Sequence, residues 1–131
     1  MKIKLFALMF ATFLIFGITA LAHHSFAGSY IEDKTVTIEG KVVQFDIRNP
    51  HSFINIEVIK DGKASRWGGE WGGVTQLSEG GVNKFTLKVG DRVIIDGAPS
   101  RDSEEHKVLI RTVTRPAVGN TPEFKWGGTV R

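Results

Sequence analysis

Apolar and polar residues alternate through most of this chain, and that period of two predicts strands. Val36, Ile38, Gly40 and Val42 alternate with Thr37, Glu39 and Lys41. The apolar set then shifts by one position, to Val43, Phe45 and Ile47. Such a slip moves every side chain to the other face unless a bulge absorbs it. The pattern therefore predicts one long, bent strand over Thr35–Ile47, with Gly40 near the bend. Asn49-Pro50 marks a turn. Ile54, Ile56 and Val58 give a second strand, and Asp61-Gly62 signals a hairpin into a third, Lys63–Trp71. After Gly72-Gly73, the spacing of Val74, Leu77 and Val82 predicts one or two helical turns, ended by Gly80-Gly81. A fourth strand is expected over Val93–Gly97. A polar loop over Ser100–Glu105 leads to a fifth, Lys107–Thr114. From Pro116 onward the composition predicts a loosely held tail.

Three strands, a short helix and two strands, with a bent first strand, fit an all-β, five-stranded OB-fold-like barrel. The bend has a use, because a barrel of few strands must turn a corner to close. Another small antiparallel barrel or a sandwich is the alternative. No repeat occurs at domain scale, but Trp67, Trp71 and Trp126 are each followed by Gly-Gly.

The first residues follow a different pattern. Lys2 and Lys4 precede an almost wholly apolar run, Leu5 to Leu21, which ends in Ala20-Leu21-Ala22. A basic start, an apolar stretch and a small-x-small exit predict a secretory signal peptide; an uncleaved anchor helix is the alternative, at the short limit for a span. Cleavage after Ala22 would put the protein in the periplasm or outside the cell. The organisation expected is a signal peptide at 1–22, an N-terminal arm at 23–34, a barrel at 35–115 and a tail at 116–131.

Export changes how the charge is read. The whole chain has 131 residues, a net charge of +3 and a pI near 9.3. Removing 22 of the 131 residues leaves 109, with 15 basic against 14 acidic side chains. Nucleic acid is then not an expected partner, although Arg48, Arg66, Arg92, Arg101, Arg111 and Arg115 were they clustered would form a basic patch. The absence of Cys excludes disulfides, thiolate metal sites and Cys nucleophiles. A monomer is expected, with membrane contact only through an uncleaved signal segment.

Histidine is the candidate chemistry. After cleavage His23 would be the N-terminal residue and would offer a free amine and an imidazole together. With a second imidazole, His51, these make a planar nitrogen set of the kind Cu(II) favours. His24 offers another route, in which the terminal amine, its own backbone amide and its ring bind the metal. The candidate metal ligands are thus His23, His24 and His51, with copper preferred over zinc and Glu70 or Asp46 as partners of a liganding ring. His106, beside Glu104 and Glu105, is the weakest of the four histidines. The structural alternative is that the terminal histidines are solvated and His51 bonds a backbone carbonyl.

Other catalytic patterns are thin. Ser25 and Ser52 each follow a His, but a nucleophile needs its base in space, not in sequence. There is no phosphate-binding Gly-rich loop and no H-E-x-x-H. Glu70, set between two indoles, is the one candidate carboxylate. Trp67 and Trp71 lie four apart on a strand and share a face. They either stack on a sugar, base or peptide together with Glu70, or fill the barrel. Phe26 and Tyr30 would pin the arm to the barrel and hold His23 near His51.

Three features together carry a resemblance. They are His23-His24-Ser25-Phe26-Ala27, Asn49-Pro50-His51 after the first strand, and Trp67 with Glu70 followed by the Leu77 helix and Leu87-Lys88-Val89-Gly90-Asp91. Over 22–116 the chain resembles a family of small exported bacterial proteins of unknown function. The resemblance implies export and a barrel, and supplies no activity or ligand. The Gly-rich stretch Trp67–Gly73 departs from the family pattern. The reading is an exported OB-like binding module that takes a transition metal, or a metal-free module for a sugar, peptide or envelope protein.

Overall fold

A computed structural model describes residues 26–130. The expected signal helix, and with it His23, His24 and Ser25, lies outside the described residues. The elements are β1 (Val36–Asp46), β2 (Ser52–Lys60), β3 (Lys63–Trp71), α1 (Val74–Glu79), β4 (Arg92–Pro99), a 3-10 turn (Ser103–Glu105), β5 (Lys107–Arg115) and β6 (Phe124–Gly127). The sheet order is β3-β2-β1-β4-β5-β6, and a parallel β3–β5 pairing closes the first five strands into a barrel. The five-stranded OB-like fold with its helix between strands 3 and 4 is what forms.

β1 does the work the broken alternation predicts. It pairs with β4 through residues 36–41 and with β2 through residues 41–46, with a register shift between Val42 and Gln44. The bulge falls at Val43 rather than Gly40. Gly40 serves a close approach instead: a Cβ there would lie 2.2 Å from the Glu57 carbonyl oxygen. The β2–β3 hairpin turns through Asp61 (φ 52°) and Gly62 (φ 73°). Two positive φ values make it the turn whose twist suits flanking strands.

The interior is filled by Val42, Ile54, Ile56, Ile95, Ile110 and Val113, none more than 1 % exposed. Gly69 lies on this inner face, where a Cβ would meet Ile110 at 2.7 Å and Ile54 at 2.9 Å. The Gly-rich stretch thus lets the wall close over large aliphatic side chains.

Below this core, α1 plugs one end. The helix ends in a Schellman motif, with Val82 N–H donating to the Leu77 carbonyl (2.8 Å) and Gly81 N–H to the Ser78 carbonyl (3.0 Å). Leu77 and Val82, the pair that this motif brings together, are buried; Val74, expected on the same face, is 39 % exposed. Gly73 at the helix N-cap has no side chain to offer, and Asn49 Oδ1 accepts from Val74 N–H at 2.9 Å in its place. The Asn49-Pro50 turn before β2, whose peptide bond is cis, is thereby tied to the barrel floor.

The tail differs from expectation. Residues 124–127 form β6 on β5, and Trp126 and Val130 are buried. Trp126 packs edge-on to Trp71, with centroids 5.1 Å apart. A Gly-rich, polar composition hid a strand whose anchor is one large indole.

The arm lies across the barrel's weakest seam. β3 and β5 pair only over Gly68–Glu70 against Lys107–Leu109. Residues 26–29 are helical, Tyr30 bridges to Ser100, and Ile31 N–H donates to the Pro99 carbonyl at 2.9 Å. The Arg111 guanidinium donates to the carbonyls of Glu32 and Lys34 and to the Thr35 hydroxyl. Val108, Leu109 and Ile110 are consequently buried in succession, although successive strand residues face opposite sides.

Candidate functional site

Glu70 is on β3, one residue before Trp71, and so faces outward beneath the arm. Its Oε1 lies 2.8 Å from His51 Nδ1. Its Oε2 accepts a hydrogen bond from the Tyr30 hydroxyl at 2.5 Å. The His51 and Glu70 side chains are 24 % and 18 % exposed, so the pair is sheltered and still open to solvent. The phenol of Tyr30 is only 4 % exposed as a residue. Burial first, then its bond to the Glu70 carboxylate, holds its ionisation well above the ordinary tyrosine range. Phe26 completes the group, its ring centroid 5.0 Å from that of His51.

The chemistry of this arrangement follows from the atoms used. His51 donates its Nδ1 proton to a carboxylate, which fixes ring orientation and leaves Nε2 as the second nitrogen. Glu70 cannot swing away without losing Tyr30. Tyr30 cannot move without dislodging the arm. A two-carbon carboxylate on a barrel wall therefore links a loop histidine to the N-terminal segment.

The other expected site residues part company. Trp71 is fully buried in the floor and cannot belong to an exposed binding face; its position on the inner side of β3 leaves it no other place. Trp67 shares that inner face but sits at the open end, half-buried, with the His106 ring stacked on it at 4.9 Å and 21°. Asp46 is not near His51 by any bond: it accepts from Gln44. Ser52 is buried and its hydroxyl is engaged with the Arg48 backbone. Among the described residues no group of three or more His, Cys, Asp or Glu gathers, so His51 stands as a single nitrogen donor there.

Four of the six arginines named above have separate partners. Arg92 pairs with Glu39, Arg115 with Asp91, Arg101 donates to the Ala27 carbonyl, and Arg111 holds the arm. Two features went beyond the sequence reading. The Tyr30–Glu70 bond spans 40 residues and no spacing rule foresees it. His106, whose backbone is left-handed (φ 47°) after the 3-10 turn, stacks on Trp67, a pairing with no local signal in the sequence.

No curated protein matches this chain. A family model described as a family of unknown function matches residues 12–109, a stretch that holds the arm, His51, Glu70 and the barrel as far as β5. That match covers most of the sequence, and the protein belongs to this family of unknown function, DUF6152.

Proposed function

We propose that the protein is an exported OB-like module that binds a transition metal, copper by donor preference, through His51 and the residues that precede Phe26. The observation that carries this reading is the His51–Glu70–Tyr30 chain. A carboxylate on Nδ1 is the usual partner of a metal-binding imidazole, and it frees Nε2 for the metal. Phe26, against the His51 ring, is three residues from His23, a tether of about 10 Å at full extension. His23 as the terminal residue would add an amine and a second imidazole, and His24 an alternative third nitrogen. Nitrogen donors without thiolate suit Cu(II). Titration of copper into protein that begins at His23 tests this. The expected result is one tight site, weakened by an extra N-terminal Met and by His51→Ala; equal affinity in all three forms would sink it.

A second reading has its own observation. Trp67 stands half-buried between two surface clefts at the end of the barrel away from α1. This favours a binding module that needs no metal and takes a sugar, a peptide or an envelope protein. Trp67→Ala should then abolish ligand binding while circular dichroism stays unchanged.

A further inference from the structure

The larger cleft, about 670 Å³, lies between β1 and β2 where the two strands separate. Their pairing ends at Lys41↔Glu57, although β1 begins at Val36 and β2 continues to Lys60. Which backbone groups this leaves without a strand partner follows from parity. Val42 N–H donates to the Asp91 carbonyl and its own carbonyl accepts from Gly90, so Val42 faces the β4 side. Alternate residues share that direction, and Thr37 and Glu39 point their N–H and C=O groups the other way, into the cleft. On β2, Lys60↔Lys63 closes the two-residue hairpin, which is a hydrogen-bonded pair. Ile59 therefore directs its backbone away from β3 and toward the same cleft. Its side chain is 69 % exposed.

Two strand edges thus flank one opening, with Trp67 and His106 on its wall. An unpaired edge is a template for another strand. The same Trp67–His106 stack also walls the smaller cleft, about 270 Å³, which continues past the start of β1 to Lys34, Arg101, Lys107 and Asp102. Lys107 is paired with Glu105, and Asp102 caps the Glu104 N–H. Among the described residues neither Lys34 nor Arg101 pairs with a carboxylate, and together they outnumber the one unpaired acid of the lining, Asp102, so this end of the opening carries net positive charge.

We infer that the cleft binds an extended polypeptide segment as an added strand between β1 and β2, with acidic residues over Lys34 and Arg101. This rests on the second reading above and names its partner class; it is independent of any metal. Inserted there, the segment uses the backbone groups of Thr37 and Glu39 on one side and Ile59 on the other. Alternate side chains reach Trp67.

The test uses the protein from His23 to its C-terminus and four probes read by calorimetric titration. One is an acetylated peptide of alternating Thr and Val ending in two Asp. The second replaces the Asp with Lys, the third is the acidic peptide with N-methyl groups on its inner residues, and the fourth is maltohexaose. The acidic peptide should bind, and the N-methylated form should bind at least about 10-fold more weakly, because each lost backbone bond counts. Ile59→Pro removes the N–H that faces the cleft while sparing the hydrogen bonds to β3, and should weaken binding about 10-fold. Lys34→Glu, on the surface, should weaken the acidic peptide and favour the Lys peptide. Equal binding of the N-methylated or Lys peptide overturns the inference. No binding of the acidic peptide overturns the inference, and binding of maltohexaose alone overturns it while leaving the Trp67 reading standing.

Discussion

Glu70 and Trp71 are adjacent on β3 and belong to different parts of the molecule. Trp71 points inward, is fully buried, and meets Trp126 and the end of the barrel that α1 plugs. Glu70 points outward, stays partly open, and is held by residues from the loop before β2 and from the N-terminal arm. One side of the strand buys stability by burying area; the other arranges polar atoms whose net contribution to stability is small. Strand alternation alone separates the two roles, so a substitution at each position should have a different signature.

Trp71→Ala should have the largest effect on folding. Removing a fully buried indole costs about 3–5 kcal/mol, a large share of the stability of a domain this size. Denaturant midpoints measure it. Trp126→Ala sharpens the same point. If the last residues were a loose tail it would be neutral, whereas a buried partner of Trp71 should cost about 3 kcal/mol.

Glu70→Gln should behave in the opposite way. The stability loss should be about 1 kcal/mol, because the pair is partly exposed. Copper affinity should fall about 10- to 100-fold, since the amide cannot hold the Nδ1 proton as a carboxylate does. A full-sized affinity retained by Glu70→Gln would remove Glu70 from the site.

Tyr30→Phe should cost no more stability than Glu70→Gln at neutral pH, at most about 1 kcal/mol for one hydrogen bond. Its signature is the alkaline limb. The folded state raises the tyrosine ionisation, so the protonated phenol contributes stability that is fully present below the unfolded value of about 10 and is lost as pH rises above it. The native chain should lose stability above pH 10, and Tyr30→Phe should flatten that slope. Unfolding free energies between pH 8 and 11 check this.

The comparison also explains what could be read from the sequence. The strands were legible because the interior demands apolar residues at every second position, and Ile54, Ile56 and Val42 supply them. The bend of β1 was legible because its apolar set changes face, although the bulge sits at Val43 and Gly40 answers a clash with Glu57 instead. β6 was hidden, since a strand of four residues anchored by Trp126 shows no alternation long enough to detect. The candidate site was visible only as separate parts. Phe26 and Tyr30 could be read as pins and Glu70 as a partner for His51. The bond from Tyr30 to Glu70 depends on how the arm crosses the β3–β5 seam, a tertiary fact with no local signal. Likewise Trp67 and Trp71 could be placed on one face, but not divided between the open end and the floor.

The central proposal is that His51 Nε2 and His23, once it is the terminal residue, bind one metal ion. The most direct measurement is the electron paramagnetic resonance spectrum of the Cu(II) complex of protein that begins at His23, beside its His51→Ala variant. The account predicts nitrogen coupling from the native protein that loses one imidazole in the variant. Identical spectra from the two proteins would contradict it.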